Sequence, residues 1–257
     1  MRARDYAFFQ PPFLAFAHRG GWVTPDQAAS ENTLSAFRRA AALGYRYLET
    51  DVHLTRDGVL VAFHDESLDR LAGRPGRIAD IDFADLHACC GPEPVPTLDE
   101  LLEDLPQACF NIDMKADDTV VPLARTIRRH RAWDRVCVAS FSSARLRWFR
   151  RIVGTRVATS AGTLGALWHL LPGLPDRYPR PAVALQVPTT YRVAGRTIPI
   201  VTRRLVVQAH RRGLVVHVWT IDEPTEMERL IDLGVDGLVS NRIDLLKDVL
   251  QRRGLWA

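Results

Sequence analysis

Several short segments of the chain concentrate side chains able to do acid–base or metal chemistry. Glu49-Thr50-Asp51-Val52-His53 places an ionisable group at every second position, and Asn111-Ile112-Asp113-Met114-Lys115 places a polar group at every second position, the last two ionisable. In an extended strand alternate residues share a face, so Glu49, Asp51 and His53 line up, as do Asn111, Asp113 and Lys115. Two carboxylates on one face repel unless a cation lies between them. With Asp113 they make an oxygen-rich donor set suited to Mg²⁺ or Ca²⁺ and not to zinc. His18-Arg19 and His64-Asp65 contribute two histidines from separate segments. Imidazoles beside a hard cation suit acid and base duties near neutral pH. Arg19 and Lys115 add cationic donors, which points to an anionic substrate such as a phosphate. Lys115 also stands out by rarity: of 34 basic residues only Lys115 and Lys247 are lysine. Where a chain prefers Arg this strongly, a Lys marks a position that needs a compact ammonium and not a wide planar fork.

The elements that must bring these segments together alternate regularly. Apolar strand-like runs start near 14, 46, 109, 136, 156, 182, 214 and 236. Helical patterns cover 33–43, 98–105, 119–130, 143–152, 162–171, 202–212, 223–233 and 243–252, with Asn32 and Thr97 as caps and Gly44 and Gly213 as stops. Asp57-Gly58 signals a hairpin whose return strand, 59–63, belongs to the connection after the second strand. Eight β/α units in 257 residues predict an α/β (β/α)8 barrel, one domain over 1–257, with an insertion at about 54–96. The stretch 66–96 reads as loop-rich. A doubly wound sheet is the competing architecture, but no Gly-x-Gly-x-x-Gly follows an early strand. In a barrel the site forms at the C-terminal strand ends. The polar groups fall there: His18-Arg19, Glu49 to His53, His64-Asp65, Asp113 to Lys115, and His217-Val218-Trp219-Thr220.

Composition narrows the function classes. The chain is 47% hydrophobic and 25% charged, an ordinary globular balance. No apolar run reaches membrane-spanning length. Met1 to Asp5 is charged, and the following aromatics are broken by Pro11-Pro12, so no signal peptide is expected and a cytoplasmic location is. The net charge of +4 comes from scattered arginines without a basic run interleaved with aromatics, so no nucleic-acid partner is expected. The four cysteines, at 89, 90, 109 and 137, lack metal-ligand spacing and suggest neither a zinc site nor a disulfide framework.

The ordered set His18-Arg19-Gly20, Glu31-Asn32-Thr33, Glu49-Thr50-Asp51-Val52, Thr55-x-Asp57-Gly58 and His64-Asp65 resembles the glycerophosphodiester phosphodiesterase family. Pro96-Thr97-Leu98, Asp113-Met114-Lys115, Ser140-Phe141, His217-Val218-Trp219-Thr220 and Gly234-Val235-Asp236-Gly237 extend the resemblance over residues 14 to 250. It implies a metal-dependent TIM barrel that cleaves a small-molecule glycerophosphodiester to glycerol 3-phosphate and an alcohol. By that resemblance His18 and His64 hold the acid/base positions. Glu49, Asp51 and Asp113 are the ligands of a divalent cation, Mg²⁺ or Ca²⁺. Arg19 and Lys115 hold the phosphate, and Trp219 forms an apolar wall beside the glycerol. The chain departs from the family at Ser30, where Pro is usual, and at Asp113, where Glu is common. Ser240-Asn241-Arg242-Ile243 also replaces a common Thr-Asp-x-Pro. A lysophospholipase D-like enzyme on the same scaffold is the alternative. It requires an apolar mouth, which Trp22, Leu71 or Trp168 would supply. A metal-dependent amidohydrolase would show His-x-His where His18-Arg19 stands.

Overall fold

The structure is a computed structural model and describes residues 1–89, 93–170, 182–193 and 195–256. Cys90, the 91–92 turn and the last predicted position of the 162–171 helix fall outside these residues. Eight parallel strands lie in the order β6 (Ala158–Thr159), β5 (Val136–Ala139), β4 (Cys109–Met114), β2 (Tyr47–Leu54), β1 (Leu14–Trp22), β11 (Gly237–Arg242), β10 (Val215–Val218) and β7 (Ala184–Val187). A parallel bridge between Ser160 and Ala184 joins the two ends of this order, so the sheet curls into a nearly closed barrel. Helices α1 (Leu34–Ala42), α4 (Leu98–Asp104), α5 (Val120–Arg129), α6 (Ser143–Val153), α7 (Thr163–Leu170), α8 (Arg203–Arg211), α9 (Pro224–Leu233) and α10 (Ile243–Arg252) follow the barrel strands in turn. The predicted eight-unit alternation is present.

Two segments differ from the sequence expectation. The connection after β2 contains β3 (Leu60–Ala62), antiparallel to β2, and then α2 (Asp69–Ala72) and α3 (Phe83–Cys89). It packs a small core of its own from Val61, Phe63, Leu68, Ile78, Ile81, Leu86 and Val95. The Pro and Gly punctuation that reads as loop therefore separates short elements. Between β7 and α8 lies an unexpected hairpin, β8 (Thr190–Val193) with β9 (Arg196–Pro199), whose second strand is fully exposed. With neither face buried, it carries no hydrophobic alternation for sequence reasoning to detect.

The apolar residues divide between two sides of the barrel wall. One set, including Phe37, Leu48, Phe110, Leu146 and Leu238, packs strands against helices. The other fills the inside of the barrel from Phe16, Tyr47, Cys109, Cys137, Ala158 and Val239. Cys109 and Cys137 are free, buried thiols within it. The N-terminal segment joins this inner core. Phe8 is buried against Phe16 and Tyr47, and its carbonyl accepts a hydrogen bond from Tyr47 Oη at 2.7 Å. The aromatics before Pro11 thus support the barrel interior, beneath the polar end.

His217 belongs to this interior and not to the mouth. It is fully buried beside the rings of Phe9 and Phe16, with only Gln186 Nε2 near its Nδ1, at 3.4 Å. Burial pushes its imidazole down to about 3, so the folded protein holds it neutral. The unfolded chain takes up the proton below about pH 6.5, which the native state resists until about pH 3. Stability from this residue is therefore complete above pH 6.5 and falls as the pH drops. Between pH 7 and pH 5 the loss is about 2 kcal/mol. His217→Gln should flatten that part of the urea-denaturation profile relative to wild type. Parallel profiles for the two proteins would remove His217 as the source.

Candidate active site

The site forms at the C-terminal ends of β1, β2 and β4. Register places His18 beside Glu49, Glu49 beside Asn111, and Asp51 beside Asp113. Interior positions thus change from apolar (Phe16, Tyr47, Cys109) to ionisable along the same three strands, which is why the polar groups converge at one end. Local turns fix their directions. Arg19 adopts a left-handed φ of +52°, and Gly20 follows at +86°. A Cβ on Gly20 would lie 2.6 Å from Ala36 Cβ, so this close approach of β1 to α1 requires glycine. Asn32, also left-handed at +58°, accepts from Thr50 Oγ1 at 2.8 Å. Thr33 caps α1 by accepting from Ala36 N. Ser30, where the resemblance has Pro, donates to Gln27 O at 2.7 Å and accepts from Arg39.

Three carboxylates and two cations meet at this mouth, nearly removed from water. Lys115 Nζ bridges Asp51 Oδ1 at 2.8 Å and Asp113 Oδ2 at 2.7 Å. Arg19 Nε lies 3.1 Å from Asp51 Oδ2, and its backbone N–H donates to Glu49 Oε2 at 3.3 Å. Lys115 therefore pairs with two of the predicted cation ligands. Burial raises the Asp51 carboxyl, but Lys115 and Arg19 outweigh it and hold the group below the ordinary range. Glu49 lacks such pairing. Burial, and then the charge of Asp51, push its carboxyl well up. Burial raises Asp113 as well.

The donor set suits a hard cation. Asp51 Oδ2 and Asp113 Oδ1 are buried without a hydrogen-bond partner, and three carboxylates outnumber two basic side chains. One divalent ion would reverse that imbalance. Among the described residues no ready-made cage of three ligands is present, because Lys115 lies between two of them.

Both histidines are held by Nδ1. His18 Nδ1 lies 2.6 Å from Asn241 Oδ1, an oxygen that can only accept, so this nitrogen carries the proton. Its Nε2 lies 3.7 Å from Glu49 Oε2. Burial and the nearby Arg19 lower His18 to about 4. His64 Nδ1 donates to Asp65 Oδ1 at 2.6 Å. Its carbonyl is contacted by His53 Nε2 at 3.2 Å, so His53 supports the His64 segment. Asp65 is in turn held by Arg70 Nε at 2.6 Å. Arg70 also pairs with Glu31, and Glu31 pairs with Arg19 at 3.1 Å. His64, Asp65, Glu66, Ser67, Arg77 and Lys115 line an open cavity of about 710 Å³. Trp219 packs edge-on to Phe141, ring centroids 5.7 Å apart, and the Phe141 ring lies 6.0 Å from Lys115 Nζ.

His18, Arg19, Glu49, Asp51, His64, Asp113, Lys115 and Trp219 lie at this end of the barrel, whereas His217, also expected there, does not. Asn241, Asp222 and Arg70 were not anticipated as site residues. A search for polar residues at the end of the last barrel strand finds Asn241. The partners of Arg70 and Asp222 arise only from the fold.

The chain matches the family model described as "Glycerophosphoryl diester phosphodiesterase family" over residues 18–245. It is 41% identical to "Probable glycerophosphodiester phosphodiesterase 2" of Mycobacterium tuberculosis, over 95% of this chain and 92% of that protein. It is 25% identical to the Homo sapiens lysophospholipase D GDPD1, over 91% and 85% of the two chains. The Oleispira antarctica phosphodiesterase, solved with the product sn-glycerol-3-phosphate, superposes with a TM-score of 0.74 at 22% identity, covering 93% of this chain and 96% of that one. The chain therefore belongs to the glycerophosphoryl diester phosphodiesterase family. It is an enzyme that hydrolyses glycerophosphodiesters.

The geometry around Lys115 gives a direct test of its size requirement. A guanidinium is broader than an ammonium and does not fit between carboxylates 2.7 and 2.8 Å from a single nitrogen. Lys115→Arg should keep the fold and charge yet lose most of its kcat/KM in steady-state assays. Lys247, the other lysine, donates to Leu43 O at the end of α1 and lies over the Trp256 ring, so it is not a free surface control. The exposed Arg125 of α5, changed to Lys, serves instead. Wild-type kcat/KM in Lys115→Arg would remove size as the reason for lysine.

Proposed function

We propose that this enzyme performs metal-assisted hydrolysis of glycerophosphodiesters, with His18 and His64 moving the protons. One observation carries the reading. Two histidines, each anchored through Nδ1, share a buried mouth with three carboxylates and two cations. Glu49, Asp51 and Asp113 would hold a divalent cation, Mg²⁺ or Ca²⁺. When bound, that ion stabilises charge on the non-bridging phosphate oxygens and balances the carboxylates. Arg19 and Lys115 supply donors to the same oxygens. Each histidine, with Nδ1 occupied, offers Nε2 for proton transfer. One accepts the proton of the attacking oxygen. The other protonates the leaving alkoxide, so that glycerol 3-phosphate and an alcohol result. Trp219 and Phe141 form the apolar wall beside the substrate.

A lysophospholipase D-like activity is the second reading, favoured by an apolar rim. Trp22, Leu71 and Trp168 are half-buried. Phe141 and Tyr191, in the connections after β5 and β7, and Leu164, in the first turn of α7, lie on the mouth side and are each more than 60% exposed. Turnover of lysophosphatidylcholine compared with glycerophosphocholine separates the two readings.

The metal and proton roles have their own tests. After exhaustive chelation, release of glycerol 3-phosphate from glycerophosphocholine, glycerophosphoethanolamine or glycerophosphoinositol should stop, and Mg²⁺ or Ca²⁺ should restore it. Glu49→Ala and Asp51→Ala should weaken cation binding measured by calorimetry. Full activity in chelator rules out the metal role. His18→Ala and His64→Ala should each lower kcat by roughly 10²–10⁴-fold and remain folded. His130, which pairs with Asp99 at the end of α5, is the control, and His130→Ala should turn over like wild type. Normal kcat in either mouth variant excludes that histidine from proton transfer.

A further inference from the structure

His18 takes its orientation from a second pair of side chains. Asn241, at the end of β11, presents Oδ1 to His18 Nδ1 at 2.6 Å. An asparagine amide has two faces of similar shape, and a half-turn would present Nδ2 instead. Asp222, just after β10, fixes which face is shown. Its Oδ2 accepts from Asn241 Nδ2 at 2.8 Å. Its Oδ1 accepts from the backbone N–H of Asn241 at 2.8 Å, from Ser240 Oγ at 3.0 Å and from the N–H of Arg242 at 3.4 Å. Asp222 is thus fixed to the backbone of β11 by one oxygen and sets the amide with the other.

We propose that Asp222 and Asn241 are positioning residues that set the tautomer of His18, keeping the proton on Nδ1 and the lone pair on Nε2. The inference rests on the reading of His18 as a proton-transfer group. It adds that the choice of nitrogen is dictated two residues away, by a carboxylate that does not touch the imidazole. The same logic explains how this chain accommodates an amide where the resemblance has Asp. A carboxylate can only accept from His18. An amide does so reliably only when a second acceptor holds its NH₂.

The arrangement predicts a reversal that a general packing role does not. In Asp222→Asn, the backbone N–H groups of Asn241 and Arg242 require the oxygen of residue 222 on their side. Its NH₂ then faces Asn241 Nδ2, two donors in contact. Asn241 relieves this by turning over, which places Nδ2 against His18 Nδ1. His18 must then accept at Nδ1 and carry its proton on Nε2. Adding Asn241→Asp restores the original polarity, since the new carboxylate accepts both from residue 222 and from His18 Nδ1.

The imidazole nitrogen shifts of ¹⁵N-histidine-labelled protein report the tautomer, with the His18 signal assigned by its loss in His18→Ala. Wild type should show Nδ1–H and Asp222→Asn should show Nε2–H. The double variant Asp222→Asn/Asn241→Asp should return to Nδ1–H. Turnover of glycerophosphocholine should follow. Asp222→Asn should lose about 10²–10⁴-fold in kcat with little change in KM, and the double variant should recover most of it. Retention of Nδ1–H in Asp222→Asn overturns the inference, as does a double variant no better than the single one. A tautomer that switches while kcat stays at wild type instead overturns the proton-transfer role of His18. Thermal melts of the three proteins establish that all are folded.

Discussion

Asp51 and Asp113 sit opposite each other on β2 and β4, bridged by one ammonium, while Glu49 lies two residues below on the same face of β2. All three side chains are almost removed from water. At an effective dielectric of about 20, two like charges about 5 Å apart cost on the order of 3 kcal/mol. Lys115 and Arg19 answer most of that repulsion at Asp51 and leave Glu49 with the remainder, which is why burial and Asp51 raise its carboxyl. A fold that maintains such a cluster must hold its cations at fixed distances. The turn at Arg19, Gly20 packed onto α1, and the β2–β4 register serve that requirement directly.

The barrel meets it by separating its two ends. Below the carboxylates the interior is apolar and filled, with Phe16, Tyr47, Cys109, Cys137 and the N-terminal Phe8 in contact. Asn111, Gln186 and His217 form the boundary, with Gln186 donating to Asn111 Oδ1 at 2.7 Å. Polar groups above this boundary face one another, since the filled interior excludes water from below. Lys115 and Arg19 accordingly act in a medium of lower dielectric than the surface arginines, where each ion pair is worth more and costs more to break.

Much of this was legible in the sequence because it is written in short-range spacing. Period-two alternation placed Glu49 with Asp51 and Asp113 with Lys115, and the eight β/α repeats placed them at one end. Lysine scarcity singled out Lys115. Other features depend on residues distant in sequence. His18 and Asn241 are 223 residues apart, and Arg70 and Glu31 are 39. Arg70 sits among many arginines whose sequence surroundings look the same. His217 reads as a mouth residue because it lies near the end of an apolar strand, yet the register sets it level with Gly237 and Leu14 at the starts of β11 and β1, and its imidazole faces Phe16 within the barrel. The β8–β9 hairpin, exposed on its second strand, has no burial pattern to reveal it.

The charges around the mouth also form one alternating chain, Asp65, Arg70, Glu31, Arg19, Asp51, Lys115, Asp113, with His64 donating to its first member. Its links are unequal. The Arg70 side chain is 47% exposed, so its pairs with Asp65 and Glu31 fall in the range of about 0–1 kcal/mol expected for solvated ion pairs. Arg19 and Asp51 are 16% and 3% exposed, and breaking a pair buried to that degree costs about 3–5 kcal/mol because the remaining charge is left unpaired. The chain is therefore weakest at Arg70, where the insertion carrying His64 meets the barrel carrying His18. A displacement of the insertion breaks the exposed link first and leaves the buried carboxylates, Lys115 and Arg19 in place. The two histidines stand on different supports. His18 is fixed by β11 through Asn241, while His64 depends on Asp65, His53 and an exposed arginine.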